Sequence, residues 1–220
     1  MTMLLTPMIP SNPLPLPGNR VALFGRRAFV TGAVAGVVAL QTAGGALALT
    51  VENARAMITS AVGEISDVIE SRSAQPQMFA QFERIFERYA DVDIIARSAL
   101  GPAARSASPA QMRAFTEAFK GYLARKYGRR FREFDGGRIV VKDARPLKSF
   151  YEVITTAHLK GEAPFEVRFH VSDRSGRDLF FNMIIEGVNM LATERTEIGA
   201  MLDRRNGNVD ALTQDLRKAG

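Results

Sequence analysis

The sequence contains no cysteine and no tryptophan, and only two of its 220 residues are histidine. The missing cysteines exclude disulfides, thiolate metal ligands and cysteine nucleophiles. His158 and His170 leave little material for a zinc site or a catalytic triad, and both fall at polar positions of alternating segments, so we interpret them as exposed. G-x-S-x-G, H-E-x-x-H and Walker patterns are also missing. We therefore expect no metal site, no cofactor and no catalysis of these kinds.

The first 27 residues lack acidic side chains but include Arg20, Arg26 and Arg27. A short apolar run rich in small residues follows at 28–40, and "ALA" occupies 46–48. Together these features predict a secretory signal peptide over residues 1–48. The alternative, a retained anchor, is disfavoured because a membrane span needs about 20 apolar residues. The stretch "GRRAFV" is similar to a twin-arginine export signal, which predicts a bacterial protein located in the periplasm.

Removal of residues 1–48 leaves 172 of the 220 residues, which we predict to form one domain, 49–220. Three arginines are lost with the signal peptide, so 26 basic and 23 acidic residues remain and the formal net charge falls from +6 to +3. Both the compartment and the reduced charge argue against a nucleic-acid partner.

Apolar residues recur at helical spacing through the first part of this domain. This pattern predicts helices over 51–72, from Pro76 through "QMFAQFERIFERY", over 91–101, and from Ser108 to about Arg132. The stretch "SPAQ" (108–111) offers an N-cap serine, a proline at the first helical position and a glutamine three residues after the cap. That combination is typical of a capped helix start.

After Gly136-Gly137 the apolar period changes to that of strands. We predict strands over 138–146, 149–159, 164–171 and 178–185, with "DRSG" (173–176) as the tight turn of a hairpin. The chain then becomes helical up to Arg205, and a last short helix begins near Asp210. Helices followed by strands without regular alternation predict an α+β fold, with helices packed on a mostly antiparallel sheet of four or five strands.

The fourth predicted helix carries two patterns of possible functional meaning. "YLARK" (122–126) has the Tyr-x-x-x-Lys spacing of short-chain dehydrogenases, but no strand with a glycine-rich turn accompanies it. We therefore interpret Tyr122 as part of the inward stripe. The basic run on the same helix predicts either a solvated helix end or a docking site for phosphate headgroups or an acidic partner. Its candidate docking residues are Arg125, Lys126, Arg129 and Arg130.

Aromatic stripes are the remaining prominent feature, since the sequence has 14 phenylalanines and 9 methionines. Stripes at helical spacing are usually plain core. The pattern alone does not show whether the helices close fully on the sheet or leave a dry cavity between them.

From residue 51 to about 218 the chain resembles the MlaC family, the periplasmic phospholipid-binding proteins of the Mla lipid transport system, also called toluene-tolerance auxiliary proteins. The resemblance lies in "DVDIIARSALG" (91–101), "SPAQMRAFTEAFKGYLARKY" (108–127), and the "DRSG" turn through "IIEGVNMLATERTEIGAML". The chain departs from the family at Asp178-Leu179, where a tryptophan is common, and at Asn189, where serine is usual.

The resemblance implies a curved sheet and helices that enclose an apolar cavity, with a phospholipid as cargo and no catalysis. It implies two partners besides the lipid: an inner-membrane ABC-type lipid transport complex and an outer-membrane lipoprotein complex. Combined with the aromatic stripes, it suggests a set of lipid-contacting residues: Phe82, Phe86, Phe119, Val153, Phe169, Met183 and Leu191.

Two alternatives come from other classes of protein. A small α+β cone enzyme of the ketosteroid-isomerase type would use Asp143 or Asp178 together with Tyr151, but both aspartates fall at positions expected to be wet. A solute receptor of an import transporter would need two lobes, for which 172 of the 220 residues are too few.

The leader generates a testable prediction about export. Replacement of Arg26 and Arg27 by lysine should leave the precursor in the cytoplasm, because the twin-arginine pair would be lost. Immunoblots of cytoplasmic and periplasmic fractions measure this. Normal periplasmic accumulation of the variant would exclude the twin-arginine route while leaving secretion itself open.

Overall fold

A computed structural model describes residues 49–131, 137–159 and 161–220, although the side chains of Arg130 and Phe131 fall outside the description. The predicted signal peptide, 1–48, lies outside the described residues. The described helices are α1 (Val51–Glu70), α2 (Gln75–Tyr89), α3 (Val92–Leu100), α4 (Pro109–Phe131), α5 (Met190–Asp203) and α6 (Val209–Lys218), with a 3₁₀ turn at Gly101–Arg105. The strands are β1 (Arg138–Leu147), β2 (Phe150–His158), β3 (Phe165–Ser172), β4 (Leu179–Ile185) and β5 (Val188–Asn189).

The α+β class and the antiparallel sheet are confirmed. The strands lie in the order β1-β2-β3-β4-β5, each antiparallel to its neighbour, and the sheet is open. The fifth strand has only two residues, and at the opposite edge β1 has an irregular register between Val141 and Asp143. No helix among the described residues combines the length and apolar character needed to span a membrane.

One face of the sheet is apolar and covered. Val153 on β2 lies opposite Ala144 on β1 and Phe169 on β3, and Phe169 in turn pairs with Met183 on β4. Val153 is fully buried and Phe169 is 5% exposed. Helix α1 packs against β1 and β2, while α2, α3 and α5 contact β4. The helices therefore cover both the β1–β2 side and the β4 side of this face.

Aromatic side chains pack within α4 and between α4 and α2. The rings of Phe115 and Phe119 stack with centroids 5.6 Å apart, and both side chains are fully buried. Helices α2 and α4 approach so closely that a Cβ at Gly128 would lie 2.8 Å from a ring carbon of Phe79. Phe82 of α2 is 1% exposed at the same contact. Glycine at position 128 is thus required by helix packing.

A tight hairpin explains how the chain passes from sheet to helix at "IIEGVN". Glu186 (φ 49°) and Gly187 (φ 82°) both adopt the left-handed conformation that a two-residue type I′ turn requires. The turn pairs Ile185 with Val188. Asn189 then accepts a hydrogen bond from the backbone N–H of Ala192 at 3.1 Å and caps α5. Asparagine therefore performs the capping that a serine at this position would supply.

The predicted start of α4 is confirmed in detail. The Ser108 hydroxyl accepts a hydrogen bond from the Gln111 N–H at 3.2 Å, and the Ser108 N–H donates to the Gln111 side-chain oxygen at 3.0 Å. This reciprocal pair is a capping box. The predicted "DRSG" turn is also present, since the Gly176 N–H donates to the Asp173 carbonyl at 2.8 Å.

Ser108→Ala should lower the free energy of unfolding by about 1 kcal/mol, because the N–H of Gln111 loses its partner. Urea unfolding followed by circular dichroism measures the change. Ser60→Ala is the matched control, since Ser60 is exposed inside α1 and its expected effect is within about 0.5 kcal/mol. Equal stability of wild type and Ser108→Ala would show that the capping box contributes nothing.

Candidate functional site

A small apolar cavity lies where α2, α3, α4, β4 and α5 meet. Its volume is about 40 Å³. Its wall consists mainly of aromatic, leucine and methionine side chains, with two polar residues: Phe86, Ile95, Leu123, Tyr127, Phe180, Phe181, Asn182, Met183, Met190, Leu191 and Glu194.

The structure separates the seven predicted lipid-contacting residues into two groups. Phe86, Met183 and Leu191 line the cavity and are half-buried. The others belong to the packed core, with side chains 0 to 5% exposed: Phe82, Phe119, Val153 and Phe169. Contact of any of the seven with lipid stays a prediction.

Eight wall residues were missed from the sequence: Ile95, Leu123, Tyr127, Phe180, Phe181, Asn182, Met190 and Glu194. Leu123 and Tyr127 among them had a detectable signal. Leu123 and Tyr127 follow Phe119 at intervals of four, so they continue the inward stripe of α4. No sequence signal marked Met190 and Glu194, because their positions depend on how α5 folds back after the β4–β5 hairpin.

Helices α4 and α5 are joined beside this cavity by a group of polar side chains, which we call the α4–α5 polar cluster: Tyr122, Lys126, Tyr127, Glu194 and Glu197. The Lys126 ammonium lies 2.7 Å from Glu194 Oε1 and 2.5 Å from Glu197 Oε2. Tyr127 donates to Glu194 Oε1 at 2.5 Å, and Tyr122 donates to Glu197 Oε1 at 2.5 Å. The cluster thus bridges residues about seventy positions apart in the chain.

Glu194 is the most deeply placed charge of the cluster. It is 3% exposed and borders the apolar cavity. Its Oε1 receives both Lys126 and Tyr127, whereas its Oε2 is buried and has no hydrogen-bond partner among the described residues. A buried carboxylate of this kind depends strongly on its one cation.

The contacts within the cluster shift the pKa values of its members. Burial and the hydrogen bond to Glu197 raise the pKa of Tyr122 above its usual value, and burial and the charge of Glu194 do the same for Tyr127. Burial alone would lower the pKa of Lys126, but its hydrogen bonds to Glu194 and Glu197 outweigh this and raise it. The tyrosines stay protonated and the lysine stays charged at neutral pH. Tyr122 and Lys126 of the Tyr-x-x-x-Lys pattern are thus part of the contact between α4 and α5.

The predicted docking residues do not form one exposed surface. Arg125 donates to the carbonyls of Leu216 at 2.6 Å and Ala219 at 2.8 Å, so it holds the end of α6. Lys126 is engaged in the α4–α5 polar cluster. Arg129 is exposed, and the side chain of Arg130 lies outside the described residues.

The residues of the alternative enzyme are not assembled into a site. The Asp143 side chain is 59% exposed and lies 3.6 Å from Arg55. Burial and the nearby Asp173 raise the pKa of Asp178, yet no hydrogen bond joins either candidate aspartate to Tyr151 within the described part of the chain. Tyr151 instead packs against the core.

The interpretation of both histidines as exposed is wrong. His170 is half-buried, with its ring 4.7 Å from that of Phe150 and its Nε2 3.5 Å from the buried carboxylate of Glu152. Burial lowers its pKa. His158 is also half-buried, at the end of β2. In the alternating pattern both positions looked solvent-facing, but the rings of Phe150 and Phe181 pack beside His170 and partly cover it.

Comparisons with known proteins agree with the geometry. A family model described as "MlaC protein" matches residues 59–218. The chain is also similar in fold to a phospholipid-binding protein from Ralstonia solanacearum, whose structure was determined in complex with a phospholipid. The TM-score is 0.65 at 20% sequence identity, and the match covers 75% of this chain and 95% of that one.

Lys126→Met should lower the free energy of unfolding by about 3 kcal/mol, because the buried Glu194 loses its cation. Urea unfolding followed by circular dichroism measures the loss. Arg129→Met is the matched control, since it removes an exposed cation of the same helix and should change stability by less than about 0.5 kcal/mol. Similar stability of the two variants would contradict a structural role for the cluster.

Proposed function

The chain belongs to the MlaC protein family, and from this premise we propose that it is a periplasmic phospholipid carrier. It binds acyl chains in the apolar cavity between α5, β4 and the other helices and does no chemistry on them. The observation that carries the proposal is the wall of this cavity, which consists mainly of aromatic, leucine and methionine side chains and in which the one carboxylate, Glu194, is paired with Lys126.

Cargo identity is supported by the structural neighbour. That protein is a phospholipid-binding protein and was determined with a phospholipid bound, and the present chain covers 95% of it. A phospholipid is therefore the cargo we propose.

The small volume of the cavity indicates how loading must occur. Pockets for small organic ligands usually measure about 300–1,000 Å³, whereas this cavity measures about 40 Å³. Acyl chains therefore enter only when the wall separates. Met183, Met190 and Leu191 are half-buried wall residues, and methionine repacks readily because its side chain is long and unbranched. We place the opening at α5, which joins α4 chiefly through polar side chains.

The energetics explain why a carrier is needed. Transfer of about 30 methylenes through water would cost roughly 25 kcal/mol, at about 0.8 kcal/mol each. The apolar interior of the protein solvates acyl chains about as well as the bilayer interior does. The free energies of loading and unloading are therefore both close to zero. Direction can then be set by membrane-embedded partners. We propose that these are an inner-membrane ABC-type lipid transport complex and an outer-membrane lipoprotein complex, with Arg129 available for docking.

The carrier proposal is tested by the lipid that accompanies the purified protein. Extraction of the mature form with organic solvent and mass spectrometry should recover phospholipid in near-stoichiometric amount. Leu191→Trp, which places a larger ring in the cavity wall, should lower the recovered lipid several-fold at a stability cost of about 1–3 kcal/mol. Val188→Trp is the matched control, because Val188 is 53% exposed on the neighbouring hairpin and should retain lipid.

A core substitution provides the reference for the loss of stability that general damage to the fold would cause. Phe169→Ala should lower the free energy of unfolding by about 3–5 kcal/mol, since the ring is packed in the core edge-on to Phe180. Absence of phospholipid from the wild type, or full lipid content in Leu191→Trp, would refute the proposal.

A further inference from the structure

A second concavity lies on the other side of α3, away from the apolar cavity. It is a groove of about 380 Å³ between α3, the 3₁₀ turn and the first turns of α4. Asp93 and Arg97 line this groove, whereas Ile95 between them lines the apolar cavity. Residues two apart on a helix face opposite ways. The groove and the cavity share no lining residue, so they are distinct sites.

The floor of the groove is apolar. Ala104 is 6% exposed and Met112 is 9% exposed, and Ala107 and Pro109 complete the floor. Pro109 begins α4 directly after the Ser108 cap, so the floor is anchored by the capping box. Such a floor suits a short aliphatic group.

The rim of the groove carries two arginines with uncommitted donors. Arg97 and Arg113 are exposed, and neither makes a hydrogen bond or ion pair with any described residue. Arg125, by contrast, is committed to the carbonyls of α6. The planar donors of a guanidinium match the oxygens of a phosphate or carboxylate. The nearby amino end of α4 adds to the positive potential.

Asp93 limits the charge that the groove accepts. Two guanidinium groups and one carboxylate give the rim a net charge of +1. A singly or doubly charged anion fits this balance, while a polyanion such as nucleic acid does not. The volume of about 380 Å³ is within the usual range of small-ligand pockets.

We propose that this groove binds a phosphate ester with a short apolar substituent. The guanidinium groups of Arg97 and Arg113 hold the phosphate oxygens, and Met112 and Pro109 contact the apolar part. Such a group is found on a soluble phosphate ester and on a phospholipid headgroup in a bilayer. The site is independent of the cavity proposed to hold acyl chains.

Isothermal titration calorimetry with butyl phosphate at low salt tests the site. Wild type should bind it saturably and more tightly than inorganic phosphate, since the floor is apolar. The double variant Arg97→Gln/Arg113→Gln should lose affinity at least about tenfold, because two charged hydrogen-bond donors are removed. Arg84→Gln/Arg217→Gln removes the same charge from exposed positions outside the groove and should bind as wild type does.

Vesicles distinguish the two sources of phosphate ester. Sedimentation with phosphatidylglycerol vesicles should be weakened several-fold in the groove variant, relative to the charge-matched control, if the source is a bilayer headgroup. Unchanged sedimentation together with weakened butyl phosphate binding assigns the groove to a soluble ester. Absence of saturable butyl phosphate binding, or equal binding by the groove variant, overturns the proposal. Phospholipid recovered by extraction should stay the same in the groove variant, so this result does not depend on the carrier function.

Discussion

The structure depends on the need to keep one face of the five-stranded sheet away from water. Val153 and Phe169 lie at the centre of that face, and a sheet with such a face is unstable until another layer covers it. The amphipathic helices provide the cover, and Phe115 and Phe119 of α4 are fully buried in the core. Where β4 meets α5 the cover is imperfect, and the apolar cavity lies at that place.

Charged side chains connect helices inside the molecule as well as lying on its surface. Lys126 and Arg125 are neighbours on α4, yet one bridges to α5 and the other to α6. Each contact joins helices that are distant in the sequence. A basic run that suggested an external partner therefore contributes, in large part, to the internal organisation of the helices. Two cations without a partner among the described residues, Arg113 near the start of α4 and Arg97 in the last turn of α3, lie instead beside the second groove.

Local features were largely predictable from the sequence, because they depend on residues close together in the chain. The capping box at Ser108 and the tight turn at Asp173 are of this kind. The distinction between Phe119 in the core and Leu123 in the cavity wall was not predictable, since both share one inward stripe. How deeply a side chain of the stripe is buried depends on which element lies opposite it. Likewise the partners of Lys126 come from a helix whose direction is set by the β4–β5 hairpin, about seventy residues later.

The two ends of the sheet have a consequence for the behaviour of concentrated protein. An exposed strand edge is a template for pairing with another chain, and long flat edges promote aggregation. Here β1 has an irregular register near Asp143, and carries Lys142 and Pro146 along its length. At the other end β5 stops after two residues. Neither edge offers a long regular row of free backbone groups. Crowded molecules therefore have little opportunity to pair strands edge to edge, and β-mediated fibre formation is disfavoured.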